Sequence, residues 1–322
     1  VNTFRWALEA GRFVVTGEVG PPKGTDVRQM QDTLDLLIPA VDALNVTENQ
    51  SAVMRMGSLA VSHEVVLRGG EPICQVAGRD RNRLALQNDL LSAHFLGIRN
   101  VLCLTGDHPL LGDHKAAKPV YDFDSVNLVQ CVKNLNAGRD WAGNELQGAT
   151  DFFVGAVVAP DADPLEPQFM KFQKKVEVGA DFFQTQAVYD MEAFARFMER
   201  VRSLVDGGRV KVLAGLVVLG SVGMARYMND RVSGIRVPPA VLSEMEDAGK
   251  EGARAKGMDI CARQIRFCLD NRVCDGVHIM APGRESLIPD ILALAGIGGP
   301  SLALGAEAPD DCERRDAAKG SR

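Results

Sequence analysis

The sequence predicts an α/β protein, and within that class a (β/α)8 barrel, on three observations. Eight apolar runs of strand length recur along the chain. They are continuous rather than alternating, as in parallel strands covered on both faces. A helical stretch follows each of them within about 300 residues, the size and element count of such a barrel. A doubly wound open sheet is the runner-up, but no Gly-x-Gly-x-x-Gly turn follows the first run.

The first run, RFVVTGEV at 12–19, carries a carboxylate, Glu18, near its end. Gly20-Pro21-Pro22 then forces the chain out of the strand, because proline fixes φ and offers no ladder donor. Thr25-Asp26 is expected to cap the helix over VRQMQDTLDLLIPAVDA. ALNVTE (43–48) is the second strand, with a short helix near 58–67. PICQVAG (72–78) leads into the amphipathic RNRLALQNDLLSAHFLG, and NVLCLTG (100–106) into SVNLVQCVKNLNAG. The fifth and sixth units are DFFVGAVVA (151–159) with PLEPQFMKFQKKVEVGA, and DFFQTQAV (181–188) with MEAFARFMERVRSLVDGG. KVLAGLVVL (211–219) precedes SVGMARYMN and a further helix-rich insert at 238–271. GVHIM (276–280) and ESLIPDILALAGI complete the series. Glycine just past a helix is the expected C-terminal signal. One barrel domain is therefore expected over 1–298, and the polar stretch 299–322 is expected to be a mobile tail.

The chain has 322 residues, 46% of them hydrophobic, and a net charge of −6, which leaves no basic footprint for nucleic acid or an anionic membrane. No apolar run is long enough to span a bilayer, so no membrane insertion is expected. The N-terminal VNTFRWALEAGRF lacks a signal-peptide core, and a cytoplasmic location is expected. Seven cysteines are scattered without a Cys-x-x-Cys pair, which suggests reduced thiols; Cys74 and Cys103 read as small core hydrophobes.

In a barrel of this kind the chemistry lies at the C-terminal ends of the strands. That rule selects Glu18, Thr47 with Asn49, Gln75 with Arg79, Thr105-Gly106-Asp107, Asp161, Gln184 with Gln186, Tyr189-Asp190, and His278 with Arg284. The set is rich in carboxylates and amides and poor in paired metal ligands, so no catalytic metal is expected. It suits recognition of a heteroaromatic ligand by hydrogen bonds, with Glu18 or Asp107 free for acid–base work. Plainer readings stand beside these. Glu18 can be a surface carboxylate at a turn, Asp107 a helix cap, His278 a satisfied core histidine, and Lys174-Lys175 a solvated face. Gln186 lies in an apolar run, where an unpaired amide is costly, and is expected to meet a ligand or a backbone partner.

Several motifs in register resemble the methylenetetrahydrofolate reductase family. TGEVGPPKG is similar to that family's F-E-F-F-P-P segment, LTGDHP to its L-R-G-D-x-P segment, and KKVEVGADFFQTQAVYD to its segment ending T-Q-F-F-F-D. GLVVL with IRVPPAVL, and GVHIM with Arg284, match the closing part, so the likeness runs from about residue 12 to 297. The resemblance implies a barrel that binds a flavin, FAD or alternatively FMN. It also implies reduction of 5,10-methylenetetrahydrofolate to 5-methyltetrahydrofolate, a step toward methionine biosynthesis. By the same resemblance Glu18 is the general acid that protonates the imidazolidine nitrogen, and Asp107 holds the pterin and stabilises the cationic iminium. Gln186 and Arg284 contact the folate. Thr47, Gln75, Leu104, Thr105, Gly106, Asp107, Lys171, Lys174 and Lys175 line the flavin. Electrons are implied to come from NAD(P)H or from a partner subunit, within an oligomeric assembly.

This chain departs from the family pattern at several of these positions. Gln75 stands for a histidine, Thr105 for an arginine and Lys171 for an asparagine, while Val19-Gly20 replaces Phe-Phe. Ala187 and Val222 stand where aromatic rings stack, each such ring being worth about 0.5–1.5 kcal/mol. Impaired direct use of NAD(P)H is expected from these losses. The alternatives are a corrinoid-linked pterin methyltransferase barrel, which does not account for the L-T-G-D and T-Q motifs together, and a non-catalytic barrel subunit of a one-carbon complex. A scaffold has no need of Glu18, Asp107 and Gln186 at once.

Overall fold

Each apolar run forms a strand, and in the computed structural model, which describes residues 2–205, 210–232 and 234–298, the eight close on themselves. Parallel pairing runs from β1 (Val14–Val19) through β2 (Ala43–Val46), β3 (Pro72–Ala77), β4 (Asn100–Leu104), β5 (Phe153–Val158), β6 (Phe182–Ala187) and β7 (Lys211–Val217) to β8 (Gly276–Met280). β8 then pairs with β1, Thr16 lying opposite His278. The protein is a (β/α)8 barrel. The expected tail over 299–322 lies outside the described residues.

Side chains alternate along each strand, and the barrel sorts them into two cores. Outward residues such as Val15, Leu44, Val101, Val154, Phe183, Val212 and Val277 pack under the surrounding helices. These include α2 (Arg28–Leu37), α3 (Ser58–Leu67), α4 (Arg83–Phe95), α5 (Ser125–Asn136), α6 (Glu166–Glu177) and α7 (Met191–Leu204). Inward residues at the N-terminal end, Val14, Ala43, Ile73, Leu102, Phe153, Phe182 and Leu213, form a separate apolar plug. A helix that the strand–helix pattern does not announce, α1 (Thr3–Glu9), closes this end with Phe4, Ala7 and Leu8. Phe4 meets Phe153 and Phe182 edge-on at 6.0 and 5.4 Å, and those two rings stack at 5.0 Å. Asn2 caps α1 by accepting from Arg5 N, and Glu71 accepts from Thr3 N.

Two local expectations change. The N-cap of α2 is Val27, one residue beyond the expected Thr25-Asp26 pair, and it makes no side-chain cap bond. Asp26 instead accepts from Arg28 N at 3.2 Å and binds the Arg28 guanidinium, because two residues of spacing suit a local turn better than a cap. The insert at 238–271 also proves not to be wholly additional. After α8 (Val222–Arg231) and α9 (Pro239–Asp247), the long α10 (Gly249–Asp270) packs Cys261, Ile265 and Cys268 into the main core and so supplies the outer helix between β7 and β8. Its Gln264 donates to Val188 O. α11 (Ile288–Leu294) closes the ring. Among the described residues no helix is long and apolar enough to cross a membrane, and the six described cysteines are free and buried.

Gly155 on β5 illustrates how tightly the plug is filled: a methyl group there would lie 2.3 Å from the Phe182 ring. Gly155→Ala is expected to destabilise the barrel by about 1–3 kcal/mol, read as a lowered denaturant midpoint. An unchanged midpoint would show that the plug is loosely packed.

Candidate active site

Immediately above the apolar plug the inward positions turn polar. Thr16 and Glu18 on β1, Asn45 on β2, Gln184 on β6 and His278 on β8 are all buried. Thr16 Oγ1 lies 2.9 Å from His278 Nδ1. Asn45 Nδ2 donates to Gln184 Oε1 at 2.8 Å and sits 3.0 and 2.9 Å from the two ring nitrogens of His278. His278 Nε2 is 3.7 Å from Glu18 Oε2, and Gln50 Nε2 donates to Glu18 Oε1 at 3.3 Å. Glu18 is thus held between an imidazole below and an amide from the β2–α3 loop. His278 is not merely a satisfied core histidine, since it faces the carboxylate.

The rim on this side is built by loops that lock one another. Asn49, Ser51 and Ala52 have positive φ angles of 41°, 55° and 58°. Such conformations cost energy in residues other than glycine and persist only where surroundings impose them. Here Arg55 donates to Asn49 Oδ1 and Pro21 O, and the chain at Gly112 passes so close that a methyl group would lie 1.8 Å from Ala52 O. Arg79 is buried, pairs with Asp80 and donates to Asp107 O and Asn49 O. Glu48 accepts from Ala77 N and binds Arg81; burial pushes its carboxyl up, and the guanidinium opposes that.

The expected cofactor and substrate positions fall around this rim. Thr47 is buried with its Oγ1 unpaired. Gln75, within β3, and Leu104, at the end of β4, are half-buried. Thr105 is exposed and its Oγ1 accepts from Ser125 N at the start of α5. Gly106 has a φ of +91° and sits against the Arg79 and Ala77 side chains, a position that only glycine takes without strain. Asp107 is exposed at the mouth, and the turn and helix that follow are capped instead by His108 and Asp124. Arg284 is exposed and donates to Gly220 O, tying the loop after β8 to the loop after β7.

On the opposite side two findings differ from the sequence reading. Gln186 is exposed rather than buried, within β6 at the point where the β6–β7 register shifts between Gln184 and Ala187. Lys171 and Lys174 are exposed on α6, but Lys175 is buried and donates to Val157 O at 2.7 Å. It therefore does not lie on a solvated face. Burial, and then the charge of Lys171, lower its ammonium to about 8. Ala187 is buried with Tyr189, Leu219 and Met228, and Val222 packs against the same cluster. Asp161 has a buried, unpaired Oδ2 and is pushed up to about 6 by burial and by Asp190.

Thr16, Asn45 and Gln50 were not selected from the sequence. Period-two alternation contains the signal for the first two, since Thr16 and Asn45 each lie two residues before a selected position and face the same way. Gln50 carries no such signal, because the unusual loop conformation alone brings it to Glu18. A cavity of about 690 Å³ lies at the other end of the barrel against α1, where Arg5 pairs with Glu9 and Asp151. It shares no residue with the polar set. No group of acidic, histidine or cysteine side chains among the described residues is arranged to hold a metal.

Fold and site define the class: a (β/α)8 barrel whose C-terminal mouth holds a buried carboxylate backed by an imidazole and paired amides. The family model for methylenetetrahydrofolate reductase matches residues 3–296, and the chain belongs to that family. It is 28% identical over 235 residues to methylenetetrahydrofolate reductase 2 of Schizosaccharomyces pombe, covering 67% of this chain and 34% of that protein. It is 26% identical over 163 residues to 5,10-methylenetetrahydrofolate reductase of Escherichia coli, covering 50% and 47% of the two chains. With the corresponding protein of Pectobacterium carotovorum it shares 25% over 237 residues, 71% of each. The chain thus spans about a third of the length of its fission-yeast relative. Among solved structures, an uncharacterised protein from Clostridium thermocellum that binds two copies of 5-methyl-5,6,7,8-tetrahydrofolic acid shares the fold. Its TM-score is 0.60 at 15% identity, over 90% of this chain and 96% of that one.

The buried ammonium of Lys175 makes a prediction about stability. Its pKa is lowered to about 8 from 10.5, so between those values the unfolded chain binds the extra proton and stability rises with pH. Denaturation curves at pH 7, 8, 9 and 10 are expected to show this rise in the native protein relative to Lys175→Met. Parallel pH dependences in the two proteins would mean that the ammonium is not desolvated.

Proposed function

We propose that this chain reduces 5,10-methylenetetrahydrofolate to 5-methyltetrahydrofolate at the barrel mouth, with a flavin as the hydride carrier. One observation carries the reading: a chain matched to the family over residues 3–296 keeps a buried carboxylate, Glu18, at the C-terminal end of β1.

The residues present fit a flavin. Thr47 Oγ1 is a buried hydroxyl without a partner, suited to bond a ring edge. Gly106 lets the backbone approach a planar group closely. Lys171 and Lys174 offer exposed ammoniums to phosphate. Lys175 acts differently from its neighbours, holding α6 to the end of β5 through Val157 O. Leu104, Thr105 and Gln75 complete the wall. FAD is the favoured form and FMN the alternative. When bound and reduced, the flavin supplies a hydride.

The protein's own part is proton management and charge. Glu18 gives its proton to the imidazolidine nitrogen, which allows the five-membered ring to open to an electrophilic iminium. Gln50 and His278 keep that carboxyl aimed at the mouth. The Asp107 carboxylate stabilises the cationic iminium more than the neutral substrate, which lowers the barrier rather than only tightening binding. Gln186, exposed at the end of β6, and Arg284 are the folate contacts. Neither Ala187 nor Val222 offers a ring to stack on nicotinamide, which favours an electron-donating partner subunit over direct use of NAD(P)H.

The deciding experiment is an anaerobic visible spectrum of the flavin-loaded chain, reduced with dithionite and mixed with methylenetetrahydrofolate. Return of the oxidised flavin spectrum is the expected result; a chain that takes up neither FAD nor FMN would overturn the reading. Glu18→Gln is expected to slow that return by at least about a hundredfold while leaving flavin binding intact. NADH is expected to reduce the flavin about a hundredfold more slowly than in a relative that keeps both rings. Efficient NADH oxidation by the isolated chain would sink the partner-subunit part.

A further inference from the structure

Two buried polar atoms at the centre of the barrel lack partners: Asn45 Oδ1 and Gln184 Nε2. They belong to the two amides that bond each other, Asn45 Nδ2 to Gln184 Oε1. β2 and β6 are four strands apart in a closed ring of eight, so this bond crosses the barrel interior. Leaving two buried amide atoms unpaired is costly, and both belong to groups that can pair by turning over.

The same Asn45 nitrogen lies almost equally far from both ring nitrogens of His278, at 3.0 and 2.9 Å. Equal approach in the ring plane would collide with Cε1 between them, so the amide rests over the ring face. Thr16 Oγ1 lies 2.9 Å from Nδ1 and donates to Val277 O at 3.4 Å, so it accepts from a proton on Nδ1. The ring is held at one edge and on one face, with Nε2 left toward Glu18. Glu18 is the titratable side chain within ion-pair range of it; Thr16, Asn45 and Gln184 are neutral.

An amide N–H against the ring suits a neutral imidazole, whereas an amide oxygen suits a protonated one. If both amides turn over together, Gln184 Nε2 donates to Asn45 Oδ1, and that oxygen faces His278. The atoms now unpaired are the ones that the turned arrangement uses. We propose that Asn45 and Gln184 are positioning residues for the recharging of Glu18. They hold His278 with Nε2 toward the carboxylate and reverse together as the ring gains and loses a proton. The inference rests on Glu18 being the proton donor. After Glu18 has given its proton to the folate nitrogen, His278, whose Nδ1 already carries a proton, takes one proton from solvent water on Nε2 and forms an ion pair with the carboxylate. Transfer of the Nε2 proton to Glu18 restores the carboxyl and the neutral ring, so one solvent proton enters per turnover.

The test combines a mutant cycle with a readout that needs no turnover. Asn45→Leu is expected to lower the rate of flavin reoxidation by methylenetetrahydrofolate about tenfold, with KM changed less than about twofold. Gln184→Leu should act in the same direction, and the double variant should be no slower than Asn45→Leu alone. Additive losses, or a change confined to KM, would overturn the proposal. Nitrogen-15 spectra of the chain, which has five histidines, should show His278 as a single neutral tautomer protonated on Nδ1. In Asn45→Leu that signal should become a mixture; an unchanged tautomer would also overturn the idea. Gln184→Leu, which removes no hydrogen bond to the ring, carries the same test if Asn45→Leu fails to fold. If Glu18→Gln reoxidises at the native rate, the functional reading fails, while the tautomer measurement still decides whether the amides hold the ring.

Discussion

Burying a carboxyl group at the end of a strand is costly where nothing beneath it is polar. That constraint organises this barrel. Its lower interior is a dry plug of Phe4, Phe153, Phe182, Leu213 and their neighbours. Directly above, Thr16, Asn45, Gln184 and His278 form a layer that is itself buried but joined by hydrogen bonds. Glu18 rests on this layer through His278. The plug holds the layer in place, and the layer makes the burial of Glu18 tolerable.

The mouth follows from the same logic. Gln50 reaches Glu18 only because three non-glycine residues nearby are kept at positive φ. Arg55, Pro21 and the close passage of Gly112 maintain them there. Strain in the β2–α3 loop is thus offset by contacts from the loops after β1 and β4. On the far side, Lys175 spends its charge inside the wall on Val157 O, leaving Lys171 and Lys174 at the surface. Three neighbouring lysines on one helix therefore play two different parts.

Much of the architecture was legible in the chain. Eight continuous apolar runs became eight strands, and the helix expected at 58–67 became α3 over the same residues. α1 is not legible in the chain because a seven-residue helix is too short for periodicity to register, and its purpose, to stopper the barrel, exists only once the barrel is closed. The insert at 238–271 looked additional because local pattern cannot tell which helix packs on the sheet; α10 does.

For the site, the sequence by itself determined which polar residues stand at the strand ends, since alternation and the C-terminal rule need no long-range information. It placed Glu18, Thr47 and Asp107 at the mouth for that reason. Only the tertiary structure decided which of them meet. Asn45 and Gln184 are 139 positions apart and touch because a closed barrel brings opposite strands within one side-chain length. Gln186 is exposed where the β6 register shifts, and α6 turns Lys175 inward, and neither is written in local composition. Local chemistry sets what each residue can do, while contacts across the barrel set the neighbour with which it does it.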